Sequence, residues 1–179
     1  MVTKDYIGSD WLLLDNWSVL IKDAQGRGDD LLKMAERLIK DSDLPDVIIK
    51  TVRVVQGGLA GLFSKTKERD YLMVGNKDLE HYRMYIGARD YGNNLDVQWY
   101  LVKRERGLKK DKISEAIKAG MKDLRRGFVG MNLFEKQDLT AYVTAIHHSL
   151  LEAVEKLMTS LGQDFSKIDR KSKGFLGVS

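Results

Sequence analysis

The chain has 179 residues, with 30 Lys or Arg, 26 Asp or Glu, a formal net charge of +4 and no cysteine. That length suits one domain, which can bury roughly 70% of the surface its unfolded chain exposes without a disulfide or metal to hold it. The lack of Cys excludes disulfides, thiolate zinc sites, iron–sulfur clusters and cysteine nucleophiles. The longest uncharged, apolar-leaning run, 54–63, is far short of the roughly 18–20 residues that span a bilayer. Residues 1–10 (MVTKDYIGSD) lack the apolar segment of a signal peptide, so the expected location is cytoplasmic.

In chain order, residues 17–21 (WSVLI) are β-branched and aromatic and predict a first strand. A turn at 24–28 leads to a helix over 30–41, capped by Asp29, with Leu31, Met34, Ala35 and Leu38 at helical spacing. Pro45, the only proline, ends that region. Residues 47–55 (VIIKTVRVV) predict a strand, and 70–75 (DYLMVG) a shorter one. Residues 81–90 and 95–103 each alternate apolar with polar around the turn Tyr91-Gly92-Asn93-Asn94, which predicts a hairpin. Asp111 can cap a helix carrying Ile113, Ile117, Met121 and Leu124. Asn132 and Glu135 have capping-box spacing ahead of a long helix, with Leu139, Val143, Ile146, Leu150, Val154, Leu157 and Leu161 as its stripe and Gly162 as its stop. From 163 to 179 the chain reads as a polar, basic C-terminal tail beyond a domain of residues 1–162.

The predicted fold is a single α+β domain of order β-α-β4-α-α: an antiparallel sheet of four or five strands with the helices on one face. This order resembles the TBP-like and helix-grip class of folds. The likeness is one of topology alone, carried by no motif, so it implies no activity.

Several patterns with chemical potential fall short. Gly57, Gly58 and Gly61 precede Ser64-Lys65-Thr66, but a phosphate loop needs Gly at positions occupied by Leu59 and Ser64. Leu59, Leu62 and Phe63 of that connection are apolar and could reach a partner or cover a cavity. His147 and His148 are adjacent on the long helix, so their side chains diverge by about 100°. With Glu152 they supply too few ligands for zinc, and they read as one boundary and one surface histidine. No Ser stands in a nucleophile-elbow setting. No catalytic, cofactor or metal residue can be named, and no cofactor is expected.

Two features point to binding. If Met84, Ile86, Val97, Trp99 and Leu101 face the core, then Arg83, Tyr85, Arg89, Tyr91, Asp96, Gln98 and Tyr100 face away from the helices. Arginine interleaved with tyrosine suits a protein interface, a phosphate- and base-stacking surface, or a solvated sheet face. The second feature is charge: residues 103–126 hold ten cations against four anions, so the rest of the chain carries a net −2. Lys103, Arg104, Arg106, Lys109, Lys110, Arg125 and Arg126 make up this candidate polyanion patch, which promises weak, salt-sensitive binding to nucleic acid.

The leading expectation is a non-enzymatic binding domain acting on a protein partner or a second copy, as a homodimer, through the free sheet face. The alternatives are a nucleic-acid module using 103–126 and a helix-grip-like pocket for an apolar small molecule. Such a pocket could support an enzyme, but the all-aliphatic helix stripe favours a filled core.

Overall fold

The computed structural model describes residues 3–6, 11–56, 67–104, 131–174 and 176–179. It is α+β: strands β1 (Thr3–Tyr6) and β2 (Trp11–Ile21), helix α1 (Gly28–Asp41), strands β3 (Val47–Gln56), β4 (Lys67–Asn76), β5 (Tyr82–Tyr91) and β6 (Asn94–Arg104), then the long helix α2 (Leu133–Ser160). The sheet has six strands, not four or five, in the order β1-β3-β4-β5-β6-β2, and is antiparallel except where β1 runs parallel to β3. The helix expected after Asp111, the connection 57–66 and part of the basic segment lie outside the described residues.

The two extra stretches of strand have physical reasons. β1 is only four residues (TKDY), too short for a periodicity to register. β2 begins at Trp11 instead of 17, because a bulge between Leu13 and Asp15 breaks its alternation. A bulge adds one residue and turns the following side chain to the other face. Here it points Asp15 at the helix side, level with Leu101, where the carboxylate is fully buried.

α1 starts two residues earlier than predicted, at Gly28, and Arg27 at its N-cap makes no side-chain cap. A Cβ at Gly28 would lie 3.2 Å from the Ala88 carbonyl oxygen, so glycine there lets the helix end press onto β5. The acidic first turn (Asp29, Asp30) and Lys40 in the last complement the helix dipole. In α2, Asn132 Oδ1 accepts from the Glu135 N–H at 3.0 Å and Glu135 Oε2 from the Asn132 N–H at 2.9 Å.

Both described helices pack on one face of the sheet. Leu31, Ala35 and Ile39 of α1 join Leu139, Val143, Ile146, Leu150 and Val154 of α2 against Trp17, Val74, Met84, Ile86, Val97, Trp99 and Leu101. Burying a large aliphatic side chain contributes about 1.5–3 kcal/mol, so this layer holds most of the apolar driving force. No helix among the described residues is long and apolar enough to cross a membrane.

The residues after 162 pack against the rest of the chain. A 3-10 turn, Phe165–Lys167, buries Phe165 against the main core. The chain then runs back along the edge of β2, with Lys173 N–H donating to the Asn16 carbonyl at 2.8 Å. Asp15 is the anchor: its carboxylate accepts from Gly174 N–H at 2.6 Å, Ser172 Oγ at 3.0 Å and Leu176 N–H at 3.1 Å. Polar composition suggested solvent exposure, but these donors are spent on one buried carboxylate.

Gly174 lies so close to Asp15 that any Cβ there would collide with its backbone and side chain. Gly174→Ala should therefore destabilise the protein by about 1–3 kcal/mol in urea unfolding, the usual cost of overpacking. Unchanged stability would mean that the C-terminal segment does not dock on Asp15.

Candidate binding face

The second sheet face is curved. A flat six-stranded sheet is roughly 24 Å wide at strand spacing, with β1 and β2 at its opposite edges. Tyr6 and Trp11 are separated by five peptide links, a reach of at most roughly 18 Å. Consistent with that constraint, Asp5 of β1 meets β5, three strands away in the order: Arg83 Nη1 donates to its Oδ2 at 3.0 Å and Tyr85 Oη to the same atom at 2.8 Å. The sheet curls away from the helices, and its concave side encloses a second small core of Val52, Val54, Met73, Tyr85 and Val102, flanked by Trp11, Tyr71 and Tyr100.

The seven candidate face residues all belong to this side, but they are not alike. Tyr85 is only 1% exposed, packed edge-on to Tyr71 at 6.2 Å. Burial, reinforced by the Asp5 carboxylate, pushes its hydroxyl far above the usual tyrosine range, so it stays a protonated donor. Tyr71 leans over Gly87, where a Cβ would stand 2.7 Å from its ring. Gln98 is buried and accepts from Tyr100 Oη at 2.6 Å. Arg83 packs its guanidinium 5.2 Å from the Trp11 ring centre. Arg89 is tied to Asp96 at 3.0 Å and lies over the Tyr91 ring at 5.5 Å.

What remains open is the β5–β6–β2 portion. Tyr91 is 62% exposed, Leu13 52% and Leu20 51%. Register places all three on the concave side: Leu13 opposite Val102, Leu20 opposite Asp96, and Tyr91 two residues beyond Arg89. Sequence reading missed Leu13 and Leu20. The odd-residue alternation of 17–21 already sends residue 20 to the second face, whereas Leu13 lies behind the bulge.

At the other end of the same face a cleft of about 450 Å³ opens, lined in part by Lys50, Gly75, Lys77, Arg83 and Arg104. Two members of the candidate polyanion patch can be placed, and they diverge. Arg104 lines this cleft and stacks 5.7 Å from the Trp11 ring, whereas Lys103 reaches over the Tyr82 ring at 5.4 Å. Tyr82 belongs to the helix-side core. Arg106, Lys109, Lys110, Arg125 and Arg126 lie outside the described residues.

The histidines separate as well. His147 is not at a boundary: it is fully buried between Trp17 and Trp99, with ring centres at 5.4 and 5.6 Å. Both its ring nitrogens are occupied by protein partners, Trp99 Nε1 and the Arg170 carbonyl. His148 meets the Ser179 backbone oxygen at 2.9 Å. Among the described residues no group of three or more His, Asp or Glu is placed to hold a metal. Comparison with protein-family models, curated proteins and solved structures returns no match.

Tyr85 distinguishes a built interior from an open face. Tyr85→Phe should cost about 1 kcal/mol, the net worth of its hydrogen bond, and Tyr85→Ala about 3–5 kcal/mol in urea unfolding. Effects of both changes below about 0.5 kcal/mol would identify Tyr85 as a surface residue.

Proposed function

We propose that this protein is a binding domain that associates with a second copy of itself through the open β5–β6–β2 part of the concave face. The observation that carries the reading is the placement of exposed apolar side chains. Two of the five large hydrophobics left exposed among the described residues, Leu20 and Tyr91, flank the Arg89–Asp96 pair on this side, whereas Leu13 lies seven residues along β2 from Leu20, towards the Arg83 end. Scattered exposure is ordinary, whereas apolar groups gathered beside tyrosines and a paired Arg mark association surfaces.

The partner is taken as a second copy for two reasons. Arg89 and Asp96 neutralise each other within the chain, so the patch presents no excess charge to an identical patch. Interchain pairing of Arg with Asp96 is not needed. β2 is also a sheet edge. The outward carbonyl of Asn16 is taken by Lys173, and Ser18 and Leu20 point their backbone groups the same way further along. An unpaired edge beside an apolar side chain is a template for strand pairing, and two-fold pairing is the commonest oligomer symmetry.

The other readings draw less support. The basic segment would act as a nucleic-acid surface only if its cations shared one side, and Lys103 and Arg104 diverge. A helix-grip-like pocket would need room under α2, where Val143, Ile146, Leu150 and Val154 pack fully buried. The succession β2-α1-β3-β4-β5-β6 keeps a topology that resembles the TBP-like and helix-grip class, with β1 added; we carry this as a proposal about fold alone.

Sedimentation velocity tests the function. The wild type should form a dimer at micromolar concentration, and Leu20→Glu and Tyr91→Glu should each give folded monomers whose melting temperature no longer depends on protein concentration. A wild type that stays monomeric contradicts the proposal. Dissociation by Phe134→Glu, or by Ser at positions 62 and 63, but not by Leu20→Glu, would place the contact elsewhere.

A further inference from the structure

We propose that the cleft at the β3–β4–β5 end of the concave face binds a small phosphorylated molecule through its phosphate, at a site separate from the self-association surface. Four cations, Lys50, Lys77, Arg83 and Arg104, line it against one carboxylate, Glu80. Lys77 is drawn to Asp46 at 3.4 Å, whereas Lys50 makes no ion pair among the described residues.

The arrangement of the two arginines is the stronger observation. Arg83 and Arg104 both stack on the ring of Trp11, at 5.2 and 5.7 Å from its centre. Packing on the indole restricts both side chains in advance, so less freedom is lost when they bind a ligand. Asp5 meets Arg83 through Nη1 alone, and its Oδ2 is shared with Tyr85. That contact fixes the guanidinium, and its remaining donors suit the forked recognition of phosphate oxygens.

The shape fits the charge. Gly75 pairs with Arg83 across β4 and β5, so a side chain at 75 would rise from the sheet beside the guanidinium, into the cleft. A Cβ there meets only Met73 Sδ, at 3.6 Å, so glycine keeps space open here without being required by packing. The cleft's 450 Å³ falls in the range of small-molecule sites, roughly 300–1,000 Å³, and Ile48 and Met73 give it an apolar wall for the rest of a ligand.

Calorimetric titration of the full chain with pyrophosphate and with a nucleoside monophosphate, at physiological salt, tests this. Saturable binding is expected, weakened roughly tenfold by Lys50→Glu and by Arg104→Ala, since one charge-assisted hydrogen bond is worth about that much. Gly75→Leu should abolish it by filling the cleft. Lys103→Ala, on the opposite side of the sheet, should leave it unchanged. The proposal fails if neither ligand saturates at millimolar concentration, if Lys50→Glu binds as the wild type does, or if Lys103→Ala weakens binding equally, which would show diffuse attraction. Melting curves of the unliganded variants separate lost binding from lost folding.

Discussion

The neutral imidazole of His147 is the contact on which three parts of the molecule depend. Its Nδ1 accepts from Trp99 Nε1 of the sheet at 2.9 Å, and its Nε2 meets the Arg170 carbonyl of the C-terminal segment at 2.6 Å. Indole nitrogen is only a donor, so Nδ1 must be bare and the proton must sit on Nε2. Trp17 Nε1 completes the set by donating to the Asp169 carbonyl at 2.7 Å. One ring on α2 thus joins the centre of the sheet to the returning chain end, inside a core where an unsatisfied polar group costs about 1–3 kcal/mol. No buried side-chain donor or acceptor among the described residues lacks a partner.

The other half of the architecture follows from a tether. The short link between β1 and β2, at opposite edges of six strands, demands a curled sheet. Curling gives the fold two interiors: the large one under the helices, and the smaller one around Tyr85 on the concave side. The same curvature brings Asp5 from one edge and Trp11 from the other to Arg83. The cleft and the exposed apolar surface are what remain of that side once its middle is filled.

Much of the fold was legible because periodicity reports burial. The hairpin of β5 and β6 alternates cleanly, since each of its faces meets a different environment, and α2 carries an aliphatic stripe with a capping box. The misses share a cause: contacts distant in sequence leave no local pattern. Nothing near Asp5 announces that it will meet Arg83 and Tyr85, so a face that reads as open is half interior. Asp15 sits behind a bulge that hides the strand it belongs to, and its partners lie near the chain's far end. Composition marked 163–179 as solvated because polar residues that cap a buried carboxylate look the same in sequence as residues that face water. For His147 the helical position was readable, but the two tryptophans around it were not.

The most direct test of the central claim is the protonation of His147 in the folded state. Burial, with a smaller contribution from His148, lowers its pKa below the ordinary 6.5 against the opposing pull of the Arg170 carbonyl and Asp15. Protonation would also set a second N–H against the Trp99 donor. Because the folded pKa is below the unfolded one, the unfolded chain binds the extra proton. The stabilisation is whole above 6.5 and is lost as pH falls from there towards the folded pKa. Ring ¹⁵N and ¹³C shifts of His147, followed from mildly alkaline pH downwards alongside urea unfolding, read both sides of this linkage. The account predicts that the ring keeps the neutral Nε2–H form as the pH falls through 6.5 while stability falls by up to about 1.4 kcal/mol per pH unit. A His147 that titrates at or above 6.5 within an intact fold would contradict it.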